Sequence, residues 1–240
     1  MTPRLDGRAC HEARSISVVK HFTKYAAGSV LISCGDTRVL CTASIEEKVP
    51  HFLKDSGQGW LTAEYSLLPS STLTRVPREI NKGKPTGRTS EIQRIIGRSL
   101  RAAVDLKRLG ERTIHIDCDV LQADGGTRTT SVTGAMIALS DAIQSLIVNG
   151  DLRQTPIVGI VSAISVGIVN GDVMCDLNYS EDSRADVDMN VVMLNAETFV
   201  EIQGTAENRP YTRAQLDGML GVAQDALTTT NAIIQPLLSI

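Results

Sequence analysis

The chain has 240 residues, of which 42% are hydrophobic and 21% are charged, and its formal net charge is −3. This balance is typical of globular proteins and excludes intrinsic disorder, collagen-like repeats and a coiled coil. The longest mostly apolar stretch, residues 156–169, is too short and too rich in glycine and serine to span a bilayer.

The N-terminal residues include no apolar segment of the kind that directs secretion. Five cysteines are scattered along the chain without a C-x-x-C pair, which fits neither a disulfide framework nor a zinc cage. We therefore expect a cytoplasmic protein with reduced thiols.

The first half of the chain predicts strands, then a long loop and a helix. Residues 14–20, 28–34, 38–45 and 60–68 have strand-like patterns. Residues 69–89 are polar and rich in proline and glycine, and a loop of this length is usually functional or mobile. Ser90 and Gln93 have the spacing of a capping box that opens a helix ending near Gly110.

Both halves of the chain place strands before a helix, and the second half begins with a hairpin near Ile157. Residues 113–121 alternate like a strand, and an apolar stripe from Val132 to Ile147 predicts the next helix. Asn170 and Gly171 separate two strand-like runs, as in a β-hairpin, and residues 187–194 and 198–203 predict a further strand pair. A second capping box, Thr212 to Gln215, opens a C-terminal helix. The elements predict an α+β fold, and without an evident linker we interpret residues 1–240 as a single domain.

Charge is distributed unevenly along the chain. Residues 75–112 contain eleven basic and four acidic side chains, a balance of +7, whereas residues 172–217 contain ten acidic and three basic ones, a balance of −7. The first block can attract a polyanion, and the second can hold a cation or supply carboxylates. A solvated surface is the simpler interpretation of either block alone.

The first candidate site is the run Gly125, Gly126, Thr127 and Arg128 between a predicted strand and helix. Glycines let the backbone approach a ligand, and the first N–H groups of a helix favour an anion. Thr127 adds a hydroxyl and Arg128 a forked cation suited to phosphate oxygens. A tight turn before a threonine N-cap explains the run equally well, and it matches neither a P-loop nor G-x-G-x-x-G.

A second candidate is a basic surface suited to a phosphate backbone. Its members are Arg75, Arg78, Lys82, Lys84, Arg88, Arg94, Arg98 and Arg101. No aromatic residue lies among them, which favours recognition through the backbone over base stacking. For Arg94, Arg98 and Arg101 we favour a structural interpretation, with pairing to Glu91 and Asp105 on a solvated helix face.

The third candidate is an acidic segment around Asp182, Asp186 and Asp188. Carboxylates this dense repel each other unless a cation or a shared proton relieves them, and their hard oxygens suit Mg²⁺. Asp186 and Asp188 have the same parity in an extended chain and could project together. A solvated acidic turn remains the alternative. The four histidines are isolated, and no Ser/His/Asp or Cys/His arrangement is visible.

Five segments resemble the ribonuclease PH family, and the resemblance covers essentially the whole chain. They are GWLTAEYS (59–66), GRTSEIQRIIGR (87–98), DCDVLQADGGTR (117–128), EDSRADVDMNVVM (181–193) and VEIQGTAE (200–207). The resemblance implies a two-lobed β-α-β-α fold with mixed sheets packed against helices. It also implies a phosphate-dependent 3′→5′ exoribonuclease that trims transfer-RNA precursors as a homo-hexamer, a trimer of dimers.

The resemblance assigns roles to particular residues. It places the binding site for the co-substrate, inorganic phosphate, at Arg88, Gly126, Thr127 and Arg128. It places the catalytic or Mg²⁺-binding aspartates at Asp182 and Asp188, and RNA-binding arginines at Arg75 and Arg78. The chain departs from the family at Ser70, where the family usually has arginine, and we expect weaker RNA binding with intact chemistry.

Three alternatives stay open at this point. A non-catalytic RNA-binding ring subunit would keep the fold and lose the aspartate pair or the Gly-Thr-Arg turn, and both are present. A small-molecule kinase of related fold would need a glycine-rich nucleotide loop, which we do not find. Hydrolysis in place of phosphorolysis is the nearest rival.

Overall fold

The computed structural model describes residues 4–239, without the side chains of Ile80 and Lys82. It has the α+β architecture that the sequence predicts, with two sheets packed against helices. Lys82, one of the predicted basic residues, therefore has its side chain outside the described part of the chain.

Five strands form the first sheet, in the spatial order β1-β2-β3-β5-β4. They are β1 (Ile16–Lys20), β2 (Gly28–Cys34), β3 (Thr37–Glu46), β4 (Trp60–Leu67) and β5 (Thr113–Gln122). Neighbours pair antiparallel except β4 and β5, which are parallel. Because parallel strands end at the same edge of a sheet, the residues that follow β4 and β5 meet there.

Four antiparallel strands form the second sheet, in the order β7-β6-β8-β9. They are β6 (Val161–Val169), β7 (Asp172–Cys175), β8 (Val187–Leu194) and β9 (Thr198–Ala206). Every residue of β6 is buried. Alternate side chains of this strand join two different core clusters, one around α3 and one around α5.

Within residues 4–239, five α-helices complete the fold. They are α1 (Gly87–Ala102), α2 (Leu106–Leu109), α3 (Thr127–Val148), α4 (Tyr179–Asp182) and α5 (Arg213–Ile234), with short 3-10 turns at His51–Leu53, Glu79–Lys82 and Gln235–Leu237. Helix α3 contacts β2, β3 and β5 of the first sheet and β6 of the second. By length and composition α3 could cross a membrane, but 78% of its most apolar window is buried inside the protein.

The start of α1 corrects the first predicted capping box. The N-cap is Thr86, whose hydroxyl accepts a hydrogen bond from the Thr89 backbone N–H, and the helix begins at Gly87. The carboxylate of Glu79 accepts hydrogen bonds from the Thr86 backbone N–H and from both threonine hydroxyls. Arg88 therefore lies in the first turn of α1 and not in the preceding loop. The second capping box, Thr212 with Gln215, is confirmed.

Two arginines of α1 have structural partners, although not the predicted ones. The guanidinium of Arg101 lies 4.6 Å from the centre of the Trp60 ring and donates to the Leu61 carbonyl. Phe52 packs edge-on against the same indole, with the ring centres 5.4 Å apart. Arg98 forms an ion pair of 3.1 Å with Glu201 on β9. These contacts support a structural role for both side chains.

Candidate active site

The turn between β5 and α3 requires glycine at two positions. Gly125 and Gly126 have φ values of +75° and +62°, in the left-handed region where glycine is favoured. A Cβ atom at Gly125 would lie 2.5 Å from the Leu177 carbonyl oxygen. Gly126 is the N-cap of α3, and no side chain caps this end of the helix. The first N–H groups of a 22-residue helix are therefore free of a side-chain acceptor and favour an anion.

A buried arginine holds this turn in place. Arg14 Nη1 donates to the Asp124 carbonyl at 2.6 Å, and the Thr37 hydroxyl donates to the Gly125 carbonyl at 2.7 Å. Arg14 also forms a two-point contact with the carboxylate of Asp176. Burial alone would raise the pKa of Asp176, but the hydrogen bonds and charge of Arg14 lower it. The turn is thus fixed by an ion pair that brings together residues 162 positions apart.

Two arginines converge on the same region from the first turns of α1 and α3. Arg88 and Arg128 are both close enough to Asp182 and Asp188 to lower the pKa of each aspartate. Within residues 4–239, neither guanidinium lies within the 4.0 Å ion-pair distance of a carboxylate. The positive charge is therefore not neutralised by a direct contact, which leaves it available to an anionic ligand.

Thr127 faces a buried phenol. Its hydroxyl lies 2.8 Å from the Tyr65 hydroxyl at the end of β4. Burial raises the pKa of Tyr65, an effect that this hydrogen bond and the charges of Arg88 and Arg128 partly oppose. The phenol therefore stays neutral and orients the threonine hydroxyl at the helix N-terminus.

A cleft of about 480 Å³ opens beside these groups. Its polar lining includes Arg88, Gly126, Thr127 and Asp182, and the loop after β4 and the exposed Tyr179 line the other side. This volume is within the range of small-molecule sites. Arg128 and Asp188 do not line the cleft. The charge of Arg128 lowers the pKa of Asp182, and the charge of Asp182 raises the pKa of Asp188, so both residues lie near Asp182 beside the cleft.

The predicted aspartate pair comes from two elements of the second half of the chain. Asp182 is the last residue of α4, and Asp188 is the second residue of β8. Burial is the main cause that raises the pKa of both, and the charge of Asp182 further helps to raise the pKa of Asp188 to about 6. The structure thus brings Asp182 and Asp188 together with Arg88 and Arg128, as the three separate motifs require.

Two acidic residues correct the sequence interpretation. Asp186, expected to project with Asp188, has its carboxylate 4.0 Å from the guanidinium of Arg209, which gives it a partner of its own. Glu207 at the end of β9 raises the pKa of both Asp182 and Asp188, and its backbone N–H donates to the Asp186 carbonyl. Glu207 lies in the acidic block and in the segment 200–207, but no local pattern assigned it to the site, because only the β8–β9 pairing brings it there.

The two predicted RNA-binding arginines lie in the loop between β4 and α1. Arg75 and Arg78 are exposed. Arg78 lines a neighbouring cavity of about 390 Å³ with Glu64 and Lys84, and its charge lowers the pKa of Asp119, which burial otherwise raises. Neither arginine lines the cleft, although other residues of the same loop do. Their role in RNA binding stays a prediction.

The fold and site together define an α+β protein with an arginine-flanked helix N-terminus facing two carboxylates. A family model described as the 3′ exoribonuclease family, domain 1, matches residues 12–143, and domain 2 of the same family matches residues 159–226. The chain belongs to this family, which confirms the resemblance to ribonuclease PH. The interpretation of residues 1–240 as one domain stays a prediction.

Solved structures show the same fold at low sequence identity. Rice (Oryza sativa) Rrp46 has a TM-score of 0.79 and 17% identity, covering 98% of this chain and 100% of that one. A chain of the Archaeoglobus fulgidus exosome with RNA bound to the active site has a TM-score of 0.79 and 22% identity, covering 97% and 92%. A chain of an archaeal exosome core has a TM-score of 0.73 and 20% identity, covering 95% and 90%.

Proposed function

We propose that this protein is a phosphate-dependent 3′→5′ exoribonuclease. The observation that carries the proposal is the convergence of Arg88 and Arg128, free of direct carboxylate partners in the described chain, with the uncapped N-terminus of α3 and the aspartate pair. A cationic pocket next to carboxylates suits the transfer of a phosphoryl group between two anions, because that reaction needs charge neutralisation and alignment.

Arg88, Arg128 and the N–H groups after Gly126 would hold orthophosphate, with the Thr127 hydroxyl as a further contact. An oxygen of this phosphate attacks the phosphorus of the last phosphodiester, and the bond from phosphorus to the 3′ oxygen of the penultimate nucleotide breaks. The products are a nucleoside 5′-diphosphate and an RNA one nucleotide shorter. Since one phosphate linkage replaces another, the reverse reaction adds nucleotides when diphosphates are in excess.

The aspartate pair fits Mg²⁺ only with help from the substrate. Among the residues that the structure describes, no group of three or more His, Cys, Asp or Glu side chains could hold a metal ion. Mg²⁺ commonly takes one or two carboxylates together with phosphate oxygens and waters, so Asp182 and Asp188 would hold it. When bound, the ion supplies positive charge to the reacting phosphate oxygens.

A second role for the pair is proton transfer. The pKa of about 6 at Asp188 lets its carboxyl hold a proton in mildly acidic solution, whereas an ordinary aspartic acid would not. The proton would pass to the 3′ oxygen as it leaves. We favour the Mg²⁺ role, because a cation would relieve the burial and the repulsion from neighbouring carboxylates that raise the pKa of both aspartates.

The natural substrate that we propose is the 3′ end of transfer-RNA precursors, and the proposed assembly is a cytoplasmic homo-hexamer. Both rest on the family resemblance, and the similarity to exosome chains supports a ring that handles RNA. The second candidate is a non-catalytic RNA-binding ring subunit, which the fold similarity to exosome chains also fits. The presence of both aspartates beside both arginines favours the enzyme.

We expect the purified protein to shorten a single-stranded RNA only when phosphate is present. The released nucleotide should have the mass of a nucleoside diphosphate, because phosphate and not water is the attacking group. Mass spectrometry of the product, with chloride replacing phosphate in the control, measures this. Nucleoside monophosphate released without phosphate would mean hydrolysis, and absence of cleavage would favour the non-catalytic ring subunit.

Ser70 is exposed in the loop after β4, next to the residues that line the cleft. Replacing Ser70 with arginine should tighten RNA binding, since one more phosphate contact makes the slope of log K against log salt more negative by about 0.7 for a single strand. The rate at saturating RNA should stay the same. Binding titrations at several salt concentrations measure the slope, with Ser70→Ala as the uncharged control. An unchanged slope in the arginine variant would contradict a role for this position in RNA binding.

A further inference from the structure

The Gln203 side chain connects the two halves of the site. Gln203 lies on β9, and its Oε1 accepts a hydrogen bond from Arg128 Nη1 at 2.7 Å. Its Nε2 donates to Glu91 Oε1 on α1. One amide therefore joins three elements: α1 and α3 from the first family region and β9 from the second.

The chemistry of both partners fixes the orientation of this amide. A guanidinium can only donate, and an ionised carboxylate can only accept, so the carbonyl end must face Arg128 and the NH₂ end must face Glu91. Both hydrogen bonds involve a charged group and are stronger than bonds between neutral groups. Gln203 therefore restrains the rotation of the Arg128 guanidinium in the absence of any ligand.

The neutral amide also keeps a carboxylate away from Arg128. Glu91 is on the same side of the site, and a direct contact with Arg128 would neutralise the cation that the anion needs. With Gln203 between them, the guanidinium has a fixed position while its charge has no ion-pair partner within 4.0 Å in residues 4–239. A glutamate at position 203 would supply the same oxygen acceptor but would cancel the charge.

We propose that Gln203 is a positioning residue for the binding of orthophosphate. Its neutral side chain lies between Arg128 and Glu91 and holds the Arg128 guanidinium in place. The proposal rests on the proposed phosphorolytic function. It predicts that loss of the Gln203 contacts weakens the use of phosphate, whereas RNA binding through the loop arginines remains.

The test measures the KM for phosphate, the KM for RNA and kcat in three variants. Gln203→Met has a similar length without hydrogen-bonding groups, and its KM for phosphate should rise roughly tenfold, the loss expected for a bond to a charged group. Its KM for RNA should stay within about twofold. Gln224→Met, which removes a bond from α5 to the Ala196 carbonyl, is the matched control and should behave like the wild type.

A double variant separates position from charge. Gln203→Glu with Glu91→Gln keeps a hydrogen-bonded chain between α1, β9 and α3 but places a carboxylate on Arg128. If the neutrality of Gln203 is required, the double variant should bind phosphate no more tightly than Gln203→Met does. Recovery of wild-type phosphate affinity in this double variant would overturn this requirement.

Direct titration of orthophosphate by calorimetry distinguishes this proposal from the function on which it rests. A wild-type protein that binds no phosphate overturns both. A wild-type protein that binds phosphate, with an unchanged dissociation constant in a folded Gln203→Met variant, overturns the positioning role alone. Thermal unfolding of each variant establishes that it is folded.

Discussion

Arg128→Ala is expected to slow phosphate-dependent RNA degradation roughly 10³-fold while the protein stays folded, the cost typical of removing one preorganised donor from a developing charge. Arg128 sits in the first turn of α3, and within the described residues no carboxylate lies within ion-pair distance of it. Its loss removes the forked cation from the proposed phosphate site, and Arg128 is not itself part of the hydrophobic core. Steady-state release of nucleoside diphosphate measures the effect, as kcat/KM for phosphate.

Two further variants sharpen the result. Arg128→Lys keeps a positive charge but lacks the planar fork, so its activity should fall between those of the wild type and Arg128→Ala. Arg213→Ala removes an arginine of α5 that pairs with the exposed Asp217 and does not line the cleft, and it should leave activity unchanged. Activity within tenfold of the wild type in Arg128→Ala would contradict the assignment of this residue to phosphate.

Asp188→Asn should also reduce the rate roughly 10³-fold, whether the carboxylate binds a cation or holds a proton. The amide is nearly the same size as the carboxyl group, so the backbone pairing of β8 with β6 and β9 should persist. Asp186→Asn is the control, because Asp186 approaches Arg209 instead of the site, and it should lose little activity. Equal losses in the two variants would contradict the pairing of Asp182 with Asp188.

The same substitution should stabilise the protein at neutral pH. The folded protein raises the pKa of Asp188 from its ordinary value of 3.8 to about 6, so it binds this proton more tightly than the unfolded chain does. Stability is therefore lost as the pH rises from about 4 to about 6, and the full loss persists above that range. Allowing for the partial exposure of Asp188, the free energy of unfolding of Asp188→Asn should exceed that of the wild type by about 2 kcal/mol at about pH 7.5.

Urea unfolding in a buffer with chelator and without phosphate measures this difference. The stability gain of Asp188→Asn should disappear below about pH 4, where the carboxyl is protonated in both states. A gain of the same size at all pH values would mean that the raised pKa is not its cause.

Much of the fold could be predicted from local patterns. Alternating burial in β5 and the apolar stripe of α3 follow directly from the periodicities of the sequence. The start of β6 could not be predicted in this way. The apolar run begins near Ile157, but Ile157 bridges to Val104, and Val158 donates to the Ala103 carbonyl, so the strand starts only at Val161.

The predicted start of α1 at the Ser90–Gln93 capping box was wrong for a similar reason. Thr86 is the N-cap because Glu79, from the loop before it, supplies the carboxylate that orders this turn. The path of a polar loop depends on tertiary contacts that a residue pattern does not contain. The sequence pattern therefore placed Arg88 in the loop, whereas the structure places it in the first turn of α1.

The residues of the site also fall into those that local patterns predict and those that depend on tertiary contacts. Gly126, Thr127, Arg128, Asp182 and Asp188 could be proposed from local chemistry, because each lies in a compact motif. Arg14, Asp176, Gln203 and Glu207 could not, since each acts through a partner far along the chain: Gln203, for example, bonds to Arg128 and Glu91, which lie 75 and 112 positions away. Only the folded chain shows which distant residues restrain the proposed phosphate-binding and catalytic residues.

Trp60 is the sole tryptophan of the chain, and it lies between Arg101 and Phe52 at the start of β4. Tyr65, at the cleft, is five residues further along the strand, about 17 Å away. The tryptophan fluorescence of the protein therefore originates well away from the proposed anion site, in a contact that unfolding destroys. Its emission spectrum offers an optical check on the integrity of every variant in the same cuvette as the kinetic assay.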